Sequence, residues 1–238
     1  MRTTIPKKAS VLLFASVLVM GASAFAATIY DNSGHDTTNR FGPTTEFGDE
    51  IIFAGPERVL TNFSFEFWAL NNNTLNPVGF GPVSARIRFY LNDGPLFNGY
   101  GTPNSKFYDS GTFFVGPPTD RATFNFTAGL DFPAGGLVMP VISNMTWTVQ
   151  FTGMDGDDRA GLDVFYPPVV GTSPARLNNQ IDDYWEFNGT SWFLRTNIVD
   201  MSFAARFEAV PEPVTVVFGV LGGLGLLVVG RRFIKAGK

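Results

Sequence analysis

The stretch "LTNFSFEFWAL" alternates strictly. Phe63, Phe65, Phe67 and Ala69 point one way, and Asn62, Ser64, Glu66 and Trp68 point the other. A period of two with one apolar and one polar face belongs to half-buried antiparallel sheet, not to helix. The same pattern returns in "SARIRFYL", where Ile87, Phe89 and Leu91 oppose Arg86, Arg88 and Tyr90. It returns again at Phe124 and Phe126, at Trp147, Val149 and Phe151, and at Phe203, Ala205, Phe207 and Ala209. Clusters such as "NNNTLNPVGFGP", "NDGPLFNGYGTPN" and "VGPPTD" separate these runs with turn-forming residues. No segment of the body carries a helical period. The chain is therefore read as all-β: an antiparallel β-sandwich of about ten strands, of jelly-roll-like type, with a closed barrel as the competing architecture. The 25 phenylalanines of the chain imply thick, Phe-rich inner faces.

The two ends follow different rules. "MRTTIPKKASVLLFASVLVMGASAFAATIY" has basic residues Arg2, Lys7 and Lys8, then an apolar run from Val11 to Met20. Ala24-Phe25-Ala26 places small residues where a signal peptidase reads, predicting cleavage before Ala27 and a signal peptide over 1–26. At the other end, Val214 to Gly230 is apolar apart from Thr215 and is followed by Arg231, Arg232, Lys235 and Lys238. Seventeen helical residues span about 26 Å, enough for a short membrane crossing with Arg231 and Arg232 as its cytoplasmic stop. The expected organisation is a signal peptide (1–26), one β-sandwich domain (27–210) and a C-terminal segment (211–238). That last segment divides into Pro211-Glu212-Pro213, a single transmembrane helix (214–230) and a basic tail (231–238).

This tripartite tail resembles the PEP-CTERM sorting signal of Gram-negative bacterial proteins. The resemblance covers about the last thirty residues. "GDEIIFAGPERVLTNFSFEFW", "LDVFYPPVVGTSP" and "DDYWEFNGTSWFL" extend a looser likeness over the body, to PEP-CTERM proteins without an assigned activity. What it implies is recognition of Pro211, Glu212 and Pro213 by an exosortase, after passage through the inner membrane. Delivery of the body to the cell surface or an exopolysaccharide-containing matrix would follow. The physics suits such a handle, because two prolines hold the backbone extended and outside any helix or central strand.

Charge and cysteine count narrow the functional classes. Three basic residues precede Ala27 and four follow Val210, so the body keeps ten of 17, with 20 of 21 acidic residues, and carries a charge near −10. Nucleic acid and anionic lipid are unsuitable partners for such a surface. With no cysteine, stability must come from packing, and thiolate chemistry is excluded.

Candidates for chemistry are few. His35, the single histidine, lies in the polar segment "DNSGHDTTN" and reads as a loop residue rather than the base of a triad. Asp182, Asp183 and Glu186 in "IDDYWEF" are the carboxylates a glycosidase would need. On a strand, Asp182, Tyr184 and Glu186 would form a polar outer face, with Trp185 and Phe187 buried behind it. Asp155, Asp157, Asp158 and Asp163 in "GMDGDDRAGLD" read as an oxygen-rich loop for calcium or as an acidic turn. Trp68, Tyr90, Tyr184 and Trp192 are assigned outward by alternation and could stack on sugar rings. The expected function is that of an exported, non-enzymatic surface or matrix protein. The alternative is a carbohydrate- or calcium-binding module held at the envelope by the same tail.

Overall fold

The computed structural model describes residues 25–70, 83–116, 119–140, 144–154, 158–176, 183–196 and 201–212. Residues 1–24 of the expected signal peptide and the expected span at 214–230 lie outside these residues, as do Pro213, Arg231 and Arg232. The described residues contain strands and no helix.

The strands are β1 (Ala27–Asp31), β2 (Asp36–Phe41), β3 (Glu46–Ile52), β4 (Val59–Leu70), β5 (Ser84–Tyr90), β6 (Leu96–Phe97), β7 (Tyr100–Gly101) and β8 (Lys106–Phe114). They continue with β9 (Thr119–Thr127), β10 (Leu137–Val138), β11 (Asn144–Thr152), β12 (Arg159–Phe165), β13 (Asp183–Phe187), β14 (Trp192–Thr196) and β15 (Ala205–Val210). All but the short β6–β7 hairpin fall into two antiparallel sheets.

The first sheet is organised by β4. Phe63 on this strand is registered with Phe126 of β9 on one side and with Phe207 of β15 on the other. Farther along, Phe67 to Leu70 pair with β12 instead of β15, and β12 carries β2 at the edge. β1 closes the opposite flank against β15. The second sheet runs β14-β13-β3-β11-β5-β8. The two-sheet sandwich expected from alternation is present, with fifteen strand elements among the described residues rather than about ten.

Alternation explains the core. Phe63, Phe65, Phe67 and Ala69 all face inward and are buried, as are Ile87, Phe89, Trp147, Val149, Phe151, Phe203, Phe207 and Ala209. Phe63 holds the two sheets together. Its ring lies 5.7 Å from Phe126 and 4.6 Å from Phe207 in its own sheet, and 5.2 Å from Phe89 and 5.5 Å from Trp147 in the other. Such edge-on and tilted contacts add to the apolar area buried. At one end of the sandwich the core becomes polar. The Asn32 side-chain amide donates to Phe165 O, Ser202 Oγ and Phe203 O, and buried Asp49 accepts from Ser173 and Ser202.

Gly48 sits at a close approach in the middle of β3. A Cβ there would lie 1.9 Å from Trp147 O, and the position faces Trp185 of β13 across the strand pair. The indole covers backbone that no side chain of β3 can cover.

Phe63→Ala removes the ring that touches both sheets. It is expected to cost about 3–5 kcal/mol and to lower the unfolding midpoint by roughly 6–20 °C. Thermal circular dichroism of the full chain in detergent reads the shift directly.

Candidate functional site

The outer face of the second sheet carries an open concavity. β3, β11 and β5 point Glu46 and Glu50, Thr146, Thr148 and Gln150, and Arg86, Arg88 and Tyr90 to this side, because their inward partners fill the core. Two walls rise from it. One is the β6–β7 hairpin, turned by Asn98 and Gly99, both at positive φ (52° and 88°), as a two-residue Asn-Gly hairpin requires. The other is the β13–β14 turn, in which Asn188 Oδ1 accepts from the amides of Thr190 and Ser191.

Between them lies an open groove of about 510 Å³, with Glu46 and Tyr90 at its floor and Phe187 and Trp192 on one side. Leu96, Thr102 and Asn104 form the other side. A second cavity of about 310 Å³ adjoins it, shares Glu46 and Phe187, and reaches Arg88, Gln150 and Asn188.

The groove floor is charged but internally neutralised. Glu46 is buried, its Oε1 accepting from Tyr90 Oη at 3.1 Å and Thr148 Oγ1 at 2.7 Å, while Oε2 accepts from Arg88. A carboxylate stripped of water holds its charge only if its lone pairs are filled in this way. Burial, then the neighbouring Glu46 carboxylate, raises the Tyr90 hydroxyl far above its ordinary value, so it stays a neutral donor. Beside the groove, Arg86 grips Asp109 through two bonds of 2.7 Å, and Lys106 adds a third donor. The Arg86 hydrogen bond, the largest influence, holds the Asp109 carboxyl well below the usual carboxylate range.

Walls and floor are fastened to each other. Phe97 of the hairpin meets Trp185 edge-on at 6.4 Å and Phe193 at 5.6 Å, and Arg176 lies over Tyr100 while pairing with Glu50. The rings of Tyr90 and Trp192 lie 5.5 Å apart, and those of Trp192 and Phe187 5.0 Å apart, making a strip of three aromatics.

The candidates named from sequence separate on this frame. Trp192 and Tyr90 line the groove and are half-buried. Trp68 does not serve as an exposed platform. It faces outward from β4, but its indole is buried, lies opposite Gly161 and donates to Leu162 O. Tyr184 is also corrected. It turns into the core against Phe41 and Phe203, and burial pushes its hydroxyl up to about 12. Trp185, expected in the core, lies on the outer side and is covered by the hairpin.

The carboxylates of "IDDYWEF" do not converge. Asp183 is buried and accepts from the Arg176 amide, while Glu186 faces the other way, to Thr45 and Arg195. Asp182 lies outside the described residues. Glu186 and Asp183 therefore act as structural acceptors at this point of the fold.

Of the proposed calcium loop, Asp155 and Asp157 lie outside the described residues, and Asp158 is buried. Asp163 is not in a loop at all. It stands on β12, fully buried, 3.4 Å from Arg40 and 3.5 Å from Arg121. Burial raises both Asp163 and neighbouring Glu66, and the two arginines act against this for Asp163. Among the described residues no group of three or more His, Cys, Asp or Glu is placed to hold a metal ion. His35 is exposed with Nδ1 2.8 Å from Pro167 O, a carbonyl that can only accept, so Nδ1 carries a proton.

No protein-family model matches this chain, no curated protein is similar to it, and no solved structure resembles it at a significant level. Function must be argued from its own residues.

Sequence reasoning missed Glu46, Phe187, Thr102, Asn104, Thr190 and Ser191 as groove residues. The available signal was Glu46-x-Gly48-x-Glu50, a two-residue period of acidic and small residues that marks a covered outer face.

Because Asp109 is depressed in the folded state, its contribution is complete above about pH 4, the ordinary carboxylate range, and is lost as pH falls below it. Asp109→Asn is expected to cost about 1–2 kcal/mol at pH 7 and to flatten the loss of stability below about pH 4. Urea titrations of both proteins across pH 2.5–7 would show this, and parallel curves would contradict it.

Proposed function

We propose that this chain is an exported, non-enzymatic display module of the cell envelope or extracellular matrix. Its C-terminal segment acts as a PEP-CTERM sorting signal read by an exosortase. The supporting observation is a coincidence of boundaries. Charge, apolarity and proline alone set the expected cleavage point before Ala27 and the motif at 211–213. Yet β1 starts at Ala27 and β15 ends at Val210, and Ala27 is registered directly opposite Ala209. The leader and the tail would thus depart from one corner of the sandwich, with no spare linker at either junction.

We read the strand connectivity as a jelly roll. β1-β15-β4-β9 forms one four-stranded set and β3-β11-β5-β8 the other. β2, β12, β13 and β14 are additions to that frame, and the β12–β2 and β13–β14 pairs extend the two sheets.

The tail reading sets a geometric requirement. Val210 to Val214 can span at most about 14 Å, so before processing this end of the sandwich would rest on the membrane surface. Pro211 and Glu212 leave β15 half-buried, and Glu212 is the one acidic residue between the final strand and the expected span. Capture of the span by the enzyme, attack on the backbone at the motif and release of the folded body would complete sorting.

Replacing Glu212 with alanine tests the reading in cells of the source organism. The unaltered protein should be recovered outside the inner membrane, with an intact mass ending near the motif. E212A should remain in the membrane fraction with its mass extending to Lys238. Identical masses and identical destinations for the two proteins would remove the sorting proposal.

A further inference from the structure

We propose that the groove on the outer face of the second sheet binds a neutral polysaccharide chain. The site joins the aromatic strip of Tyr90, Trp192 and Phe187 to the polar rim of Asn104, Thr190 and Ser191. It does not depend on the tail or on how the protein is sorted.

Three properties of the groove converge on this ligand. The first is the strip itself. Three rings stand in series at 5.5 Å and 5.0 Å between centroids, beside a floor that carries Glu46, Arg88, Thr148 and Gln150. The C–H face of a sugar ring is apolar and its rim is hydroxylated, so it needs an aromatic surface flanked by hydrogen-bonding groups. Asn104, Thr190 and Ser191 supply those groups from the two walls, all of them exposed.

The second property is the state of charge. The Glu46 carboxylate in the floor is already met by Arg88, Tyr90 and Thr148. Arg88 cancels the Glu46 charge, so the floor itself offers no unpaired charge to a charged ligand, and a body near −10 repels a polyanion. Uncharged, hydroxyl-rich chains escape both penalties.

The third property is shape. The groove of about 510 Å³ is open along its length, and a second open space of about 310 Å³ shares Glu46 and Phe187 with it. An open trough suits a chain that lies across the surface. It does not suit a small molecule, which is held by enclosure. The walls are preorganised: Ser105 bonds Asp93 through both its amide and its hydroxyl, and Asn188 Oδ1 fixes the opposite turn. A chain settling between them orders little protein, so little of the contact energy is lost to entropy.

Native gels containing hydroxyethylcellulose, galactomannan, laminarin, dextran or alginate provide the test. The full chain is run in a detergent without a sugar headgroup. At least one of the four neutral polymers should retard the protein, and alginate, a polyanion, should not. Trp192→Ala should raise the apparent dissociation constant about tenfold, the loss of one stacked ring with its hydrogen-bonded sugar. Trp192 lies on edge strand β14, so the exposed double variant Asn104→Ala/Thr190→Ala is run beside it. It should also weaken retardation at an unchanged unfolding midpoint. Retardation by no neutral polymer, equal retardation by alginate, or full retardation of both variants would overturn the proposal. Failure here leaves the Glu212 experiment unaffected, because the groove and the tail share no residue.

Discussion

Phe207 lies 4.6 Å from Phe63, and the rest of the sandwich depends on that contact. Phe207 belongs to the last strand of the body, yet that strand is interior, with β1 on one flank and β4 on the other. Removing it would expose the Phe63 ring, strand β1 and the inner face of β4 together. A terminal strand in a central position makes closure of the core wait for the final residues of the body. The Ala27–Ala209 pairing is as non-local as this domain allows, and such pairings form late and slowly. Under the export proposed above, the order matters. The piece that completes the fold emerges immediately before the segment expected to lodge in the membrane.

Both outer faces solve the same electrostatic problem. A body near −10 must place acidic residues on its sheets without accumulating repulsion. On the second sheet, Arg88 answers Glu46, Arg86 answers Asp109, and Arg176 answers Glu50. On the first sheet, Arg121 stands among Asp36, Glu66 and Asp163 and lies over the Phe165 ring. Arginine suits these positions, since its planar fork can bond a carboxylate and lie flat on an aromatic ring. The result is a pair of sheet faces on which buried or half-buried carboxylates are met by arginine, while free hydrogen-bonding capacity sits in turns. That distribution is what gives the groove its neutral character.

The inner faces were legible in the sequence because they obey parity. Phe63, Phe65, Phe67, Phe89, Trp147 and Phe207 each sit where a period of two puts them. Parity says which residues share a face, however, and not what covers that face. Parity puts Trp68 on the outer side of β4, but Gly161 opposite leaves room for the indole to lie down and bond Leu162 O. In β13 both faces are apolar enough to be inner. Tyr184 takes the core side because Trp185 is needed over Gly48. The groove was the least legible part, since its walls are a hairpin and a turn whose sequences announce a reversal but not a destination. Glu46 and Trp192 are far apart in the chain and meet only through the pairing of β13 with β3 and β14.

The last strand of the body closes the sandwich, so the segment beyond Val210 leaves from a finished core. Urea unfolding of two chains beginning at Ala27 addresses it most directly, one ending after Pro213 and the other after Ala204. The longer chain should unfold in one cooperative transition, and the shorter should show none and fall quickly to protease. A cooperative transition of similar midpoint in the chain lacking β15 would contradict the account.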